Sequence, residues 1–281
     1  MNDYLLLKKI IKCNIKNCGK EGFCIGKTFL GQKIYAFHKG SYFGKQLLIT
    51  AGIHAREYIS CFVVQKLMQD YNLPFGCYFV PAVNLDGIGL CCCGLDFVKD
   101  KQLKDVLKRL NNNSTNFKLW KANIRGVDLN TNFDAGFGKS KFACPLPCSG
   151  GFAGEKPNSE CENIALIKFA KTHSVDFSLA YHSKGEVVYY GFEDLKNDVL
   201  KKESQMASLF AKNLKYKKIR SIGSTGGLGD FLGQKFGIPS ITIELGNDSC
   251  NHPIDLKYFD EIYKNQYDAL KKFVENYDRF T

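Results

Sequence analysis

Residues 46–60 read QLLITAGIHAREYIS, an apolar run that stops at Gly52 and then presents His54, Arg56 and Glu57. A short continuous apolar run closed by glycine fits a strand covered on both faces. The carboxyl edge of such a sheet is where α/β proteins place their ligands. An imidazole and a carboxylate three positions apart at that edge can close on one metal ion. A third ligand and a base must then come from elsewhere in the chain.

Working outward, residues 4–12 carry a weak helical pattern and 26–40 (GKTFLGQKIYAFHKG) read as a hairpin leading into the sheet. Residues 59–71 have apolar positions at helical spacing, 77–83 (CYFVPAV) form a second strand, and NLDG at 84–87 reads as a turn. A loop-rich excursion follows over 88–117, helical at 101–110. Residues 120–133 (WKANIRGVDLNTNF) are too polar to fill a core, and the glycine- and proline-rich 136–154 suit a long active-site loop. A helix is predicted from Asn158, with Ser159 as its cap and Glu162 three residues later. The strand 175–181 ends at His182, GEVVYYGF continues as a strand, 200–214 form an amphipathic helix, and the strand 238–245 contains Glu244 near its end. Residues 255–280 supply a closing helix. GSTGGLG at 223–229 lacks the Lys-Ser/Thr ending of a phosphate loop and is read as a mobile or tightly turning substrate loop.

The whole is expected to be one α/β domain over 26–281, with 1–25 an N-terminal extension packing on it. At 281 residues and 44% hydrophobic composition the chain can bury a large core. No apolar run reaches the roughly 18 residues of a membrane span, and the N-terminus lacks a signal-peptide cleavage pattern. The twelve cysteines include the run Cys91, Cys92, Cys93, which argues for reduced thiols and a cytoplasmic protein rather than a disulfide framework. The net charge of +11 is carried by scattered lysines without interleaved aromatics, so a solvated surface is expected and not a nucleic-acid platform.

Three strand ends therefore carry chemistry: His54 with Glu57, His182, and Glu244. Two neutral imidazoles and one carboxylate hold a single Zn2+ and leave a position for water, whose proton a second carboxylate can take. His54, Glu57 and His182 are the expected ligands and Glu244 the base.

GIHAREYIS, VPAVNLDG, KANIRGVDLNTNFDAGFG, PNSECENIAL, AYHSKGEVVYY and GGLGDFLGQKFGIPSITIELG, in this order, resemble segments of the zinc carboxypeptidase family over about 26–275. The resemblance implies a mixed, twisted, eight-stranded sheet with helices on both faces, zinc on His54, Glu57 and His182, and Glu244 as general base and acid. It also implies that Asp128 accepts the other ring N–H of His54, that Arg56 binds substrate and polarises its carbonyl, and that Asn130 contacts a substrate carboxylate. The sequence departs from the family in three places. Thr131 stands where the family has an arginine that clamps a C-terminal carboxylate, Ile222 falls on the tyrosine of its mobile loop, and Lys121 replaces the oxyanion-stabilising arginine, with Arg125 a nearby substitute. These departures, with WKANIRGVDLN and YHSKGEVVYY, resemble the bacterial branch of γ-D-glutamyl-diaminopimelate peptidases and cytoplasmic murein tripeptide amidases. The implied substrate is a peptidoglycan-derived peptide, with Thr131 and Asn130 meeting the diamino acid. The alternatives are a carboxypeptidase acting on ordinary peptides and an inactive relative that binds wall peptides.

Overall fold

The computed structural model describes residues 22–280 together with Leu5, Lys8 and Ile10, so most of the expected extension lies outside the described residues. Gly22 already begins a strand, and the boundary expected at residue 25 falls inside it. Eight strands form one mixed sheet: β1 (Gly22–Lys27), β2 (Lys33–Lys39), β3 (Gln46–Ala51), β4 (Gly76–Val80), β5 (Phe177–Ser183), β6 (Val187–Tyr190), β7 (Lys217–Arg220) and β8 (Ser240–Leu245). Their order is β1-β2-β4-β3-β5-β8-β6-β7. The inner four, β4, β3, β5 and β8, run parallel; β2 joins them antiparallel to β4 and carries β1 antiparallel, and β6 joins antiparallel to β8 and carries β7 parallel.

Every residue of β3 is buried. Its side chains alternate between layers with the two-residue period of a strand: Leu47, Ile49 and Ala51 face one core, and Leu48 faces the other. Burying each of these large side chains stabilises the fold by about 1.5–3 kcal/mol. The first core is closed by α1 (Ile59–Asp70), α5 (Asn197–Leu214), α7 (Phe259–Tyr263) and α8 (Gln266–Glu275). The second is closed by α4 (Cys161–Thr172) and α6 (Leu228–Phe236). A third cluster around Trp120 seats the excursion, with α2 (Leu85–Cys93) and α3 (Lys101–Leu110), beside the end of β3. None of the described helices is long and apolar enough to cross a membrane.

Several local expectations change. NLDG opens α2 instead of ending in a turn, because the Asn84 side chain accepts from Gly87 N at 2.9 Å and caps the helix. Ser159 caps nothing: its hydroxyl donates to Glu160 Oε1 at 2.7 Å, and α4 starts at Cys161. The long closing helix is broken into α7, α8 and two short 3-10 turns. β7 (KKIR) is an exposed, lysine-rich edge strand, a composition that protects an edge and hides it from hydrophobic patterning.

α5 carries Glu203 into the base of the fold, where its carboxylate oxygens accept from Gly191 N (2.8 Å) and Ser240 N (3.0 Å). Burial pushes this carboxyl up to about 8, against an ordinary value of 4.5. The folded state therefore binds the proton more tightly than the unfolded state. The resulting stability is complete below pH 4.5 and is lost as pH rises through about 8. Glu203→Gln is expected to flatten the pH dependence of unfolding over that interval by on the order of a few kcal/mol. Chemical denaturation at pH 5 and pH 8 measures it, and identical slopes in both proteins would refute the assignment.

Candidate active site

The parallel register brings the carboxyl ends of β3, β5 and β8 together: Ala51 lies beside Tyr181, and His182 beside Glu244. Gly52 turns the chain out of β3 at φ +66°, where a Cβ would lie 2.5 Å from Cys61 Sγ, so both the conformation and the space require glycine. His54 then precedes a 3-10 turn, Ala55–Glu57. Three residues per turn stack positions i and i+3, which is why His54 and Glu57 face the same point. His54 Nδ1 lies 2.9 Å from Glu57 Oε1, His182 Nδ1 lies 3.0 Å from Glu57 Oε2, and the two Nδ1 atoms are 3.1 Å apart.

All three side chains are buried, and one ligand atom from each lies within 4.8 Å of the others. Two imidazole nitrogens aimed at each other and at one carboxylate make a poor hydrogen-bond set and a good donor set for a divalent cation. The N,N,O composition is that of a catalytic zinc site with a position left open. The residues present therefore fit zinc.

His54 Nε2 lies 3.2 Å from Asp128 Oδ1, so a proton on Nε2 leaves Nδ1 free for metal. Asp128 Oδ2 accepts from Lys121 Nζ at 2.7 Å and from Gly151 N at 3.0 Å. Burial pushes the Asp128 carboxyl up, but Lys121 and His54 overcome this and hold it well below the usual carboxylate range. Asp128→Asn is expected to weaken zinc binding about 10–100-fold, read by competition with a chromogenic chelator. Unchanged affinity would remove Asp128 from this role.

Glu244 lines a cavity of about 760 Å³ that reaches from His54 and His182 past Lys121, Asn130 and Thr131 to Ile222. Burial pushes its carboxyl up to about 8, with the nearby Glu57 charge adding and His182 and Lys121 opposing. A carboxyl that holds a proton this readily is suited to carry one between reactants. The zinc carboxypeptidase profile matches residues 21–265 of this chain. The chain belongs to the zinc carboxypeptidase family.

Among curated zinc carboxypeptidase relatives, gamma-D-glutamyl-L-diamino acid endopeptidase 1 of Lysinibacillus sphaericus is 33% identical over 264 residues. That alignment covers 87% of this chain and 64% of the relative, so the chain spans less than two thirds of that protein's length. Among solved structures, bovine thrombin-activatable fibrinolysis inhibitor superposes with a TM-score of 0.75 at 20% identity, covering 98% of this chain and 97% of that one. Murein-tripeptide amidase MpaA of Escherichia coli O157 superposes with a TM-score of 0.61 at 18% identity, covering 91% and 92%. Both show the shared zinc carboxypeptidase fold.

The other predicted site residues divide. Arg56, Lys121, Asn130 and Thr131 line the cavity. Asn130 Oδ1 accepts from Leu228 N at 3.1 Å, and the Thr131 hydroxyl donates to Asp128 O at 2.9 Å. Arg125 stands apart. It lies in a separate depression, 3.4 Å from Glu160 Oε1 and over the Phe29 ring at 5.7 Å, which corrects its expected place as an oxyanion group. Four cations line the cavity among the described residues, Arg56, Lys121, Lys141 and Arg220; of these, Lys121 is tied through Asp128 to His54, and Arg56 lies between His54 and Glu57 in the chain.

The glycine-rich segment 223–229, expected to be mobile or tightly turning, turns tightly through Gly223 and Gly226 and enters α6 at Leu228. It is stitched to the segment before it: Lys141 N donates to Gly223 O (2.9 Å), Gly226 N to Ala135 O (2.7 Å), Phe133 N to Gly226 O (3.0 Å), and the Thr225 hydroxyl to Gly136 O (2.7 Å). Gly226, at φ +81°, passes so close to Thr131 that a Cβ would lie 2.4 Å from Thr131 O. These bonds hold the loop as a wall of the cavity, with Ile222 on its rim, 67% exposed.

Two residues near the metal ligands escaped the sequence reading, His252 and Lys184. His252 is placed by the loop after β8 within electrostatic reach of Glu57, Arg56, Lys184 and His54. Its only signal in the sequence is a histidine shortly after a strand-terminal glutamate.

Proposed function

We propose that this chain is a zinc-dependent peptidase that hydrolyses the amide between the γ-carboxyl of D-glutamate and a diamino acid in peptidoglycan-derived peptides. The observation that carries the reaction is the convergence of His54, Glu57 and His182 on one point, with Glu244 beside it in the cavity. Zinc, when bound, supplies Lewis acidity toward the scissile carbonyl and makes a water acidic enough to react near neutral pH. Glu244 takes the proton of the attacking water and hands it to the leaving amine. Arg56 and Lys121 face the carbonyl oxygen as negative charge develops there, and Asp128 holds Lys121 in position.

The choice of substrate is supported by similarity to the Lysinibacillus endopeptidase and by Thr131. A threonine whose hydroxyl is engaged with Asp128 O offers no cation to clamp an ordinary C-terminal carboxylate. Seven described cysteines, Cys24, Cys61, Cys77, Cys144, Cys148, Cys161 and Cys250, carry free thiols, which supports action in a reducing compartment, on wall fragments brought inside the cell.

The test is a paired assay of zinc-loaded protein on L-Ala-γ-D-Glu-diaminopimelate and on a blocked L-dipeptide, with products identified by mass spectrometry. Release of free diaminopimelate is the expected result. Turnover of the L-dipeptide alone would assign an ordinary carboxypeptidase, and inertness toward both would assign a binding protein.

A further inference from the structure

Beyond the metal ligands, the chain assembles a second cluster that meets the cavity only at Arg56. Lys184 follows β5 directly, and the loop after β8 is fixed against it: Gly185 N and Glu186 N both donate to Gly246 O, at 2.7 and 3.0 Å. The Lys184 ammonium donates to Asp248 O. Further along the same loop, His252 comes within electrostatic reach of Lys184 and of Arg56, the residue between the ligands His54 and Glu57. Arg56 also lines the cavity, whereas Lys184 and His252 do not. Arg56 thus stands between the cavity and this cluster.

Three polar atoms here, Arg56 Nε, Ser183 Oγ and His252 Nδ1, are buried without a hydrogen-bond partner. Leaving such atoms unpaired costs about 1–3 kcal/mol each, and their concentration beside one centre marks a place where a ligand supplies what the protein does not. The sign of the charge is positive. Arg56 and Lys184 are cations. Of the carboxylates facing them, Glu57 is committed to the two histidines, and Asp248, 3.9 Å from Lys184, has a side chain 74% exposed to solvent.

The direction of the substrate follows from proton transfer. Glu244 serves the leaving amine and lines the cavity, which assigns the leaving residue to the cavity and leaves Lys184 and His252, outside the cavity lining but within electrostatic reach of one another and of Arg56, for the acyl residue. A γ-linked D-glutamyl group differs there from an ordinary peptide. Its free α-carboxylate sits beyond two methylenes and the α-carbon from the scissile carbonyl, whereas the main chain of an α-linked peptide carries only neutral amides on that side.

We infer that Arg56, Lys184 and His252 form an acyl-side subsite that receives the α-carboxylate of the γ-linked D-glutamyl residue. This rests on the γ-D-glutamyl reading given above and adds how the residue is recognised. A cationic subsite discriminates a carboxylate from its neutral carboxamide, which has the same shape.

The experiment compares two synthetic peptides, L-Ala-γ-D-Glu-diaminopimelate and its analogue with the D-glutamyl α-carboxyl amidated, using zinc-loaded protein. The carboxylate peptide is expected to show a kcat/KM at least about tenfold higher, expressed mainly in KM and reduced by added salt. In Lys184→Gln, which removes a cation, and in His252→Gln, which replaces a ring that burial keeps neutral, each checked for zinc content and circular dichroism, the ratio between the two peptides is expected to fall, further in Lys184→Gln. Equal turnover of both peptides by the unaltered protein, or an unchanged ratio in both variants, overturns the subsite and leaves the γ-D-glutamyl reading standing. Hydrolysis of neither peptide overturns that reading, and the subsite with it.

Discussion

Glu244→Gln is expected to keep its zinc and lose hydrolysis, with kcat falling about 10²–10⁴-fold, the usual contribution of a positioned general base. The amide is close in shape to the carboxylate but cannot accept and return the water's proton. Nor is Glu244 among the three residues whose ligand atoms converge, so metal content should not follow activity down. Atomic absorption and single-turnover kinetics on the same sample separate the two. Turnover within a few-fold of the unaltered protein would remove Glu244 from the mechanism, and loss of zinc would make it a ligand. Because burial pushes this carboxyl up to about 8, the metal-free protein should also release a proton near that pH that the glutamine variant lacks.

His182→Ala is expected to abolish tight zinc binding, by more than the roughly 10–100-fold that loss of an outer-shell partner such as Asp128 costs. It deletes one of the three donors that converge among the described residues, and with it the Nδ1 that lies 3.1 Å from His54 Nδ1. The consequence extends to stability. A ligand that binds only the folded state stabilises it by about 4 kcal/mol when present at a thousand times its dissociation constant. Zinc should therefore raise the thermal midpoint of the unaltered protein and leave that of His182→Ala where it was. An equal zinc-induced shift in both would place the metal elsewhere.

The frame of this site was legible in the sequence because it depends on strand ends. Buried parallel strands read as apolar runs, and whatever follows such a run stands at the sheet's carboxyl edge. His54, Glu57, His182 and Glu244 are all found by that rule. Asp128, Lys121 and Asn130 lie on no such edge, and only the resemblance to a family singled them out. Arg125 shows the limit of spacing in irregular chain. It is four residues from Lys121, but the turn through Asn123 and Gly126 sends it to Glu160 instead of the cavity. His252 and Lys184 were missed for a related reason. Their proximity arises from two loops meeting at Gly246, a long-range contact that no periodicity announces. α6 was hidden by its glycines, and β7 by its lysines.

The stitching of residues 223–226 onto 133–141 is made largely by main-chain atoms, and this bears on how the pocket can be re-engineered. Exchanging Ile222 or Ser224 rewrites the chemistry presented to a ligand while leaving the amides and carbonyls of that seam in place. Ligand capture needs no loop to be frozen on arrival, so the entropy that a hinged lid forfeits on closing is already spent during folding. The amides of Phe133, Lys141 and Gly226 should accordingly exchange with deuterium slowly whether or not a peptide is bound, which makes this rim a rigid template for redesigning selectivity.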